Sequence, residues 1–520
     1  MIYTFAAINV GSFELEMGIY EISPKFGVRR IDHVRHMIAL GKDTFNTGKI
    51  SYPQVEEICQ VLEEFGRVMK SYQVADYRAC ATTAMREAQN NKIVLDQIRV
   101  RTGIQIHIVS NSEQRLTSYK ALASRDAEFQ KIIQSGTAVV DMGFGSLQVS
   151  LFDKDALMST QNLPLGVLRL RQSMSRLRAT AQQEQSLIRE TIDNELVTYR
   201  KIYLKDKDVQ NLIGIGTPLL TMYYKMEGMT AQKDRVTREE FDRFFNRLCA
   251  MNLDQIEETF DVNAEYASLL FPAAAILERM FELTGAQMLW VPGIRIEDGI
   301  AAEYAQEKKL LKFHHDFDND IIVTSRNMAK RYKCHMSHVQ TVETEALQVF
   351  DSLKKYHGLG DRERLLLRIA AVLHSCGKFV TMRDASDRAY NIIMATEIIG
   401  LSHLERELVA NVVRYQMLPF KYNEVEIHED EVGSSRLATP ENLTMVIAKL
   451  TAMLRLANSM DRGHKGKLLG CRIVVKDKQL VITTDYPGDV MLESISIQQK
   501  GDFFEEIFGI RPVLKQKKKV

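Results

Sequence analysis

Two glycine-bearing stretches hold the residue types that phosphate chemistry asks for. Between Val139 and Asp153, an apolar run reaches Asp141 and the turn Gly143-Phe144-Gly145-Ser146; Leu147, Val149 and Leu151 then alternate with Gln148 and Ser150. That two-residue period is the signature of a half-buried strand, so the stretch predicts strand, glycine turn, strand. Gly143 and Gly145 let backbone N–H groups face an anion with no Cβ in the way, and Asp141 at the strand end could meet a Mg²⁺-phosphate or its water shell. A single glycine hairpin is a common feature. Here the plan recurs near the N-terminus, where Phe5 to Val10 run into Gly11-Ser12, and Leu15, Met17 and Ile19 alternate on the way out. Two such hairpins, one opening each half of the first ~300 residues, predict a duplicated domain closing on a phosphate chain from both sides.

Arg86 follows a helix start in Ala81-Thr82-Thr83-Ala84-Met85-Arg86, and by spacing alone it reads first as a surface ion-pair partner. Together with Leu163-Pro164-Leu165-Gly166, Gly216-Thr217 and the segment Phe503 to Pro512, these motifs make nearly the whole chain resemble the exopolyphosphatase/guanosine-pentaphosphate phosphatase (Ppx/GppA) family, within the actin-like, Hsp70-like and sugar-kinase-like ATPase superfamily. The resemblance implies an α/β + α fold. Two actin-like (ribonuclease H-like) ATPase-type domains would span 1–130 and 131–310, a helical HD-like domain 311–460, and a small C-terminal α/β cap with a basic tail 461–520. It implies substrate contacts from Gly11, Ser12, Arg86, Gly143, Gly145 and Ser146, with Mg²⁺ as cofactor, Asp141 in the metal shell and Glu113 orienting water. The implied partner is inorganic polyphosphate or a guanosine alarmone such as pppGpp, and a homodimer is a further expectation.

Against the family's pattern, several carboxylates are replaced. Asn9 takes the place of an aspartate that serves the metal, and Gln148 that of a glutamate. Ser110 to Arg115 keeps Glu113 but has Gln114 where a second glutamate is expected. Phe13, Glu14, Phe144 and Leu147 replace smaller or polar residues, and Glu14 would bring negative charge toward a polyanion. An amide keeps the shape of a carboxylate but offers no charge to Mg²⁺ and accepts no proton at neutral pH. Losing a positioned general base costs ~10²–10⁴ in rate. In the helical region His338, His374 and Asp461 match a metal-dependent HD site, but Ser375 follows His374 where an aspartate is needed, so a satisfied core histidine is the expected role. His403 is expected to start a helix rather than to bind metal.

The elements that must position these groups follow from periodicity. Val55, Ile58, Leu62, Phe65 and Met69 predict a helix from about Pro53 to Lys70; Tyr77 to Ala81 predicts a strand, with Thr82-Thr83 capping the helix that carries Arg86. Ile104 to Val109 predicts another strand, and Ser110-Asn111-Ser112 a cap for the helix near Glu113. The charged, aperiodic stretch from Lys308 to Asp320 marks a boundary, and Ile321 to Met460 reads as almost wholly helical. Beyond it, Cys471 to Val475 and Leu480 to Thr484 predict a hairpin, a last helix is expected around Gly501 to Phe508, and the basic tail is expected to be solvated and loose.

Composition bounds the partners. Lysine plus arginine (68) nearly balance aspartate plus glutamate (67) in 520 residues, which argues against nucleic acid and membrane surfaces and requires any polyanion site to be a local basic patch. Six scattered cysteines without metal-like spacing, and no leader or spanning apolar run, predict a cytoplasmic protein. The favoured expectation is a weakened Mg²⁺-dependent phosphoanhydride hydrolase. The alternative is a non-catalytic polyphosphate or alarmone sensor; a sugar-kinase-like ATPase suits the C-terminal half less.

Overall fold

A computed structural model of the chain describes residues 3–124, 127–174, 181–204, 207–226, 228–230, 233–425 and 440–517. The chain divides into two compact units, Met1–Phe317 and Asp318–Val520. The break falls inside the charged stretch predicted as a boundary, and the two actin-like halves share the first unit.

That unit is built on two sheets of matching plan. The first has strands β1 (Tyr3–Val10), β2 (Glu14–Ser23), β3 (Gly27–Met37), β4 (Asp76–Ala81) and β5 (Ile106–Ile108), in the order β3-β2-β1-β4-β5. The second has β6 (Thr137–Met142), β7 (Leu147–Asp153), β8 (Ala156–Leu163), β9 (Asn211–Ile215), β10 (Arg235–Thr237) and β11 (Met288–Trp290), in the order β10-β11-β9-β6-β7-β8. In both, an antiparallel meander of three strands is extended by a strand running parallel to its first member. The predicted duplication is therefore visible in the topology. One detail differs from expectation: β7 is buried on both faces, Gln148 and Ser150 included, because helices cover the side opposite Leu147, Val149 and Leu151.

The helix Tyr52–Ser71 buries the predicted stripe against the first sheet, and Asn111–Ala123 starts from Ser110 in a capping box with Glu113. The helix Ile296–Glu307 lies on the other face of the first sheet, where Tyr304 stacks on Phe5 with ring centroids 4.1 Å apart. Thr82 precedes the short helix Thr83–Glu87 without a side-chain cap; Ser12 Oγ accepts from the Ala84 N–H instead, at 3.1 Å.

The second unit is mainly helical from Phe317–Arg331 to Pro440–Met460, and His403 opens the helix His403–Tyr415 as expected. Its sheet pairs β12 (Arg472–Lys476) with β13 (Gln479–Thr484) in the predicted hairpin, and β14 (Arg511–Gln516) lies parallel to β13. Two expectations change here. The last helix, Met491–Phe508, begins earlier than predicted, and Lys515 is held in β14 opposite Thr483 rather than loose; Lys518 and Lys519 lie outside the described residues. Among the described residues no helix is long and apolar enough to cross a membrane.

Candidate active site

The two glycine turns meet across a cleft of about 80 Å³, below the ~300 Å³ at which ordinary ligand pockets begin. The turns are built alike: Gly11 N–H donates to Glu14 O at 2.9 Å, and Gly143 N–H donates to Ser146 O at 2.9 Å. Gly11, Ser12, Gly143, Gly145 and Ser146 all line the cleft, so five predicted substrate contacts come together. Two glycines outside the turns hold the arrangement. A Cβ on Gly166 would stand 2.2 Å from the Gly145 carbonyl carbon, and Gly216, at φ +97°, would place one 2.2 Å from Met142 O. Only glycine allows those approaches.

Three carboxylates and one cation complete the lining: Glu14, Glu16, Asp141 and Arg295. No other arginine and no lysine lines it among the described residues, so the local basic patch expected for a polyanion is not found here. Asp141 accepts from Ser118 Oγ at 3.0 Å, and burial raises its pKa against the opposing pull of that bond and of Arg115. Glu14 accepts from the Tyr266 hydroxyl; burial and then the neighbouring Glu16 push its pKa up. Glu16 binds Arg295 Nη1 through Oε1 at 2.6 Å, and Oε2 faces Asn9 Nδ2 and Thr217 Oγ1, each at 3.4 Å. Burial opposes its ionisation, yet His33, Arg295 and Asn9 outweigh it and hold the pKa below the usual range. Three oxygens on cleft-lining residues, Asn9 Oδ1, Glu14 Oε2 and Gln114 Oε1, are buried acceptors with no hydrogen-bond donor.

The remaining predicted residues divide. Asp141 and Asn9 line the cleft. Gln114 does too, whereas Glu113 is engaged at the helix start, its Oε2 accepting from the Ser110 N–H at 2.9 Å, and is not among the lining residues. The reason is helical geometry: adjacent residues point about 100° apart, so the capping box that takes Glu113 turns Gln114 inward. Arg86 donates to Val109 O at 2.6 Å, to Oγ1 of the cleft-lining Thr83 at 3.2 Å and to Asn111, and is not itself among the lining residues. Gln148 Oε1 accepts from Nε of the wholly buried Arg115 at 3.0 Å. Phe13 and Phe144 reach across from the two turns, ring centroids 4.7 Å apart, and Tyr266 packs edge-on to Phe13. Sequence reasoning missed Glu16, Ser118 and Arg295, and it quoted Thr217 as part of a motif without giving it a role. For Glu16 a signal existed: Glu14 and Glu16 share one face of β2 by period. Arg295 lies in a loop far along the chain and gave none.

In the second unit His338 Nδ1 lies 2.7 Å from Asp461 Oδ2, and the ring of His464 stacks on His338 at 3.7 Å. His374 Nδ1 faces Ala371 O at 2.7 Å, and burial, then His338, pull its pKa down to about 3, so the ring is neutral. Ser375 Oγ is buried there without a hydrogen-bond partner. The predicted trio is assembled in space, and His464 is an addition that its spacing did not announce.

Comparison with known proteins places this geometry in context. The Ppx/GppA phosphatase family model matches residues 19–307, and the model of Ppx/GppA phosphatase domain III matches 322–495. A guanosine-5'-triphosphate,3'-diphosphate pyrophosphatase of Aeromonas hydrophila is 22% identical over 463 residues, 88% of this chain and 89% of its own length. Among solved structures, an exopolyphosphatase from Cytophaga hutchinsonii is similar at 16% identity with a TM-score of 0.52, covering 59% of this chain and 98% of its own. An exopolyphosphatase-like protein is similar at 17% identity and a TM-score of 0.53, covering 59% and 99%. At these identities the structural likenesses speak for the fold.

Proposed function

The chain belongs to the Ppx/GppA phosphatase family, and from that premise we propose that it takes the end of a phosphate chain, inorganic polyphosphate or a guanosine alarmone, between its two glycine hairpins and hydrolyses it slowly with Mg²⁺. The observation that carries this reading is Gln114. It lines the cleft in the position the family gives a glutamate, while Glu113 is spent on a helix cap. An amide can hold water by hydrogen bonds but cannot take its proton at neutral pH.

The residues present suit Mg²⁺. The orphaned acceptors Asn9 Oδ1, Glu14 Oε2 and Gln114 Oε1 are hard oxygen donors, and Asp141 adds a carboxylate. Asn9 and Asp141 would hold the ion, whose contribution is to neutralise the phosphate oxygens. The need is plain from charge: the lining has three acids against one arginine, already bound to Glu16, so a bare polyanion meets net repulsion. The backbone N–H groups of the two turns orient the phosphate, and Gln114 orients water. A homodimer and a cytoplasmic location belong to the same proposal; the six cysteines are all free.

The test is phosphate release from long polyphosphate and from pppGpp, with and without Mg²⁺. Slow release that requires Mg²⁺ is expected from at least one substrate, and brisk release without a divalent cation contradicts the reading. The Phe13–Phe144 contact and the small cleft favour a second reading, a sensor without hydrolysis. Mg²⁺-dependent binding with no release at all selects it.

A further inference from the structure

Glu16, His33 and Glu297 each bring a ligand atom within 4.8 Å of the others. Only Glu16 belongs to the cleft lining; His33 and Glu297 stand behind it. Pairing of β2 with β3 sets Gly18 opposite His33, so Glu16, two residues earlier on the same face, lies diagonal to the imidazole. The first turn of the helix Ile296–Glu307 then brings Glu297 onto that face, next to Arg295 and Asp298.

What sets this cluster apart is that polar atoms of two of its members are left over, while Glu16 is already held by Arg295. Glu297 is 0% exposed, and neither of its carboxylate oxygens has a hydrogen-bond partner. His33 Nε2 is buried without a hydrogen bond as well; its nearest acid is Glu16, whose Oε1 lies 3.7 Å away. Neither protonation state of Glu297 cures this. The ionised form has only the pull of its own backbone N–H and of Arg295, which burial and Glu16 outweigh, and the neutral form buries an O–H without an acceptor. The surrounding charges leave room for a cation. Arg295 pairs with Glu16, and Arg30 with Asp298, which also accepts from Tyr20. Those pairings leave Glu297 without an arginine or lysine of its own among the described residues.

We propose that Glu16, His33 and Glu297 form a site for a divalent transition cation of the zinc type, which fastens the first turn of the helix Ile296–Glu307 to the β2–β3 hairpin. Two carboxylate oxygens and one imidazole nitrogen are a zinc ligand set, whereas Mg²⁺ prefers oxygen alone. The site shares Glu16 with the cleft, but its test is distinct from that of hydrolysis, because the two residues varied, His33 and Glu297, lie outside the lining.

The experiment is titration of the chelator-stripped full chain with Zn²⁺, read by calorimetry and by the thermal midpoint, for the natural protein and for His33→Gln and Glu297→Gln. About one equivalent should bind, raising the midpoint, and each variant should weaken that binding at least tenfold. Glu297→Gln keeps the side-chain shape and removes a buried acid, so its metal-free midpoint should equal or exceed that of the natural protein. This separates lost ligation from misfolding. Zinc binding that both variants leave unchanged overturns the proposal, as does failure of the folded natural protein to bind Zn²⁺ up to millimolar concentration.

Discussion

Arg115 is wholly buried, and an amide, Gln148, accepts its Nε hydrogen bond. A charged guanidinium facing an amide gains less than one facing a carboxylate, since ionised acceptors make hydrogen bonds about twice as strong. Gln148→Glu should therefore stabilise the first unit by about 1 kcal/mol, read as a higher denaturant midpoint at pH 7; a lower midpoint would contradict this account of the pair. At this scale the sequence was informative about identity and blind about direction. That Asn9, Gln114 and Gln148 stand where acids are expected was legible from the motifs. That Glu113 would be consumed by a capping box was half-legible, because Ser110 and Glu113 have the capping-box spacing, and that spacing already assigns the glutamate to backbone. Arg86 was read outward by spacing and inward by resemblance, and its hydrogen bonds tie it to Val109 and Asn111 beyond β5 and to Thr83 in its own short helix.

Among the elements, the paired glycine hairpins decide the cleft. Their strands and turns were readable from alternation and glycine placement, but the clasp between them was not. Gly166 packs so tightly on the second turn that Gly166→Ala should cost about 2 kcal/mol or more, measured by chemical denaturation; a neutral effect would mean the turn gives way freely. Phe13 and Phe144, flagged as replacements for smaller residues, turn out to contact each other across the cleft. A double-mutant cycle between Phe13→Leu and Phe144→Leu should return a coupling of roughly 0.5–1.5 kcal/mol, and a coupling of zero would remove the clasp. Long-range contacts of this sort carry no local period, which is why only the fold brings them into view.

For the whole molecule, near-zero net charge argued against a surface-wide field for a polyanion, and it concealed how the acids are distributed. The cleft is acidic, and several carboxyls are buried far from ordinary hydration. In the second unit Glu345 has both oxygens buried without partners, and burial, then Asp461 and Glu493, push its pKa up to about 9. A folded-state pKa above the unfolded one means the native protein binds the extra proton. This group's stabilisation is then complete below the unfolded value and is lost as pH rises toward about 9. Glu345→Gln should raise the thermal midpoint more at pH 8 than at pH 5, and an equal gain at both values would show that Glu345 ionises normally. The boundary near Phe317 was legible from a charged, aperiodic stretch. The longer last helix and β14 were not, since their interior contacts join residues distant in sequence.

We propose that this cleft keeps two glycine turns able to bind phosphate while amides stand where the family resemblance places acids. The measurement that tests this most directly is Mg²⁺-dependent phosphate release by the natural protein and by the triple variant Asn9→Asp, Gln114→Glu, Gln148→Glu. Asn9→Asp adds charge for the metal, Gln148→Glu gives the buried Arg115 a carboxylate partner behind the cleft, and Gln114→Glu restores a base to a side chain that already lines the cleft. A gain of at least ~10² in kcat/KM is predicted, the lower end of what a positioned base contributes, and returning residue 114 alone to glutamine should remove most of it. Brisk hydrolysis by the natural protein, unaffected by the three changes, would contradict the account.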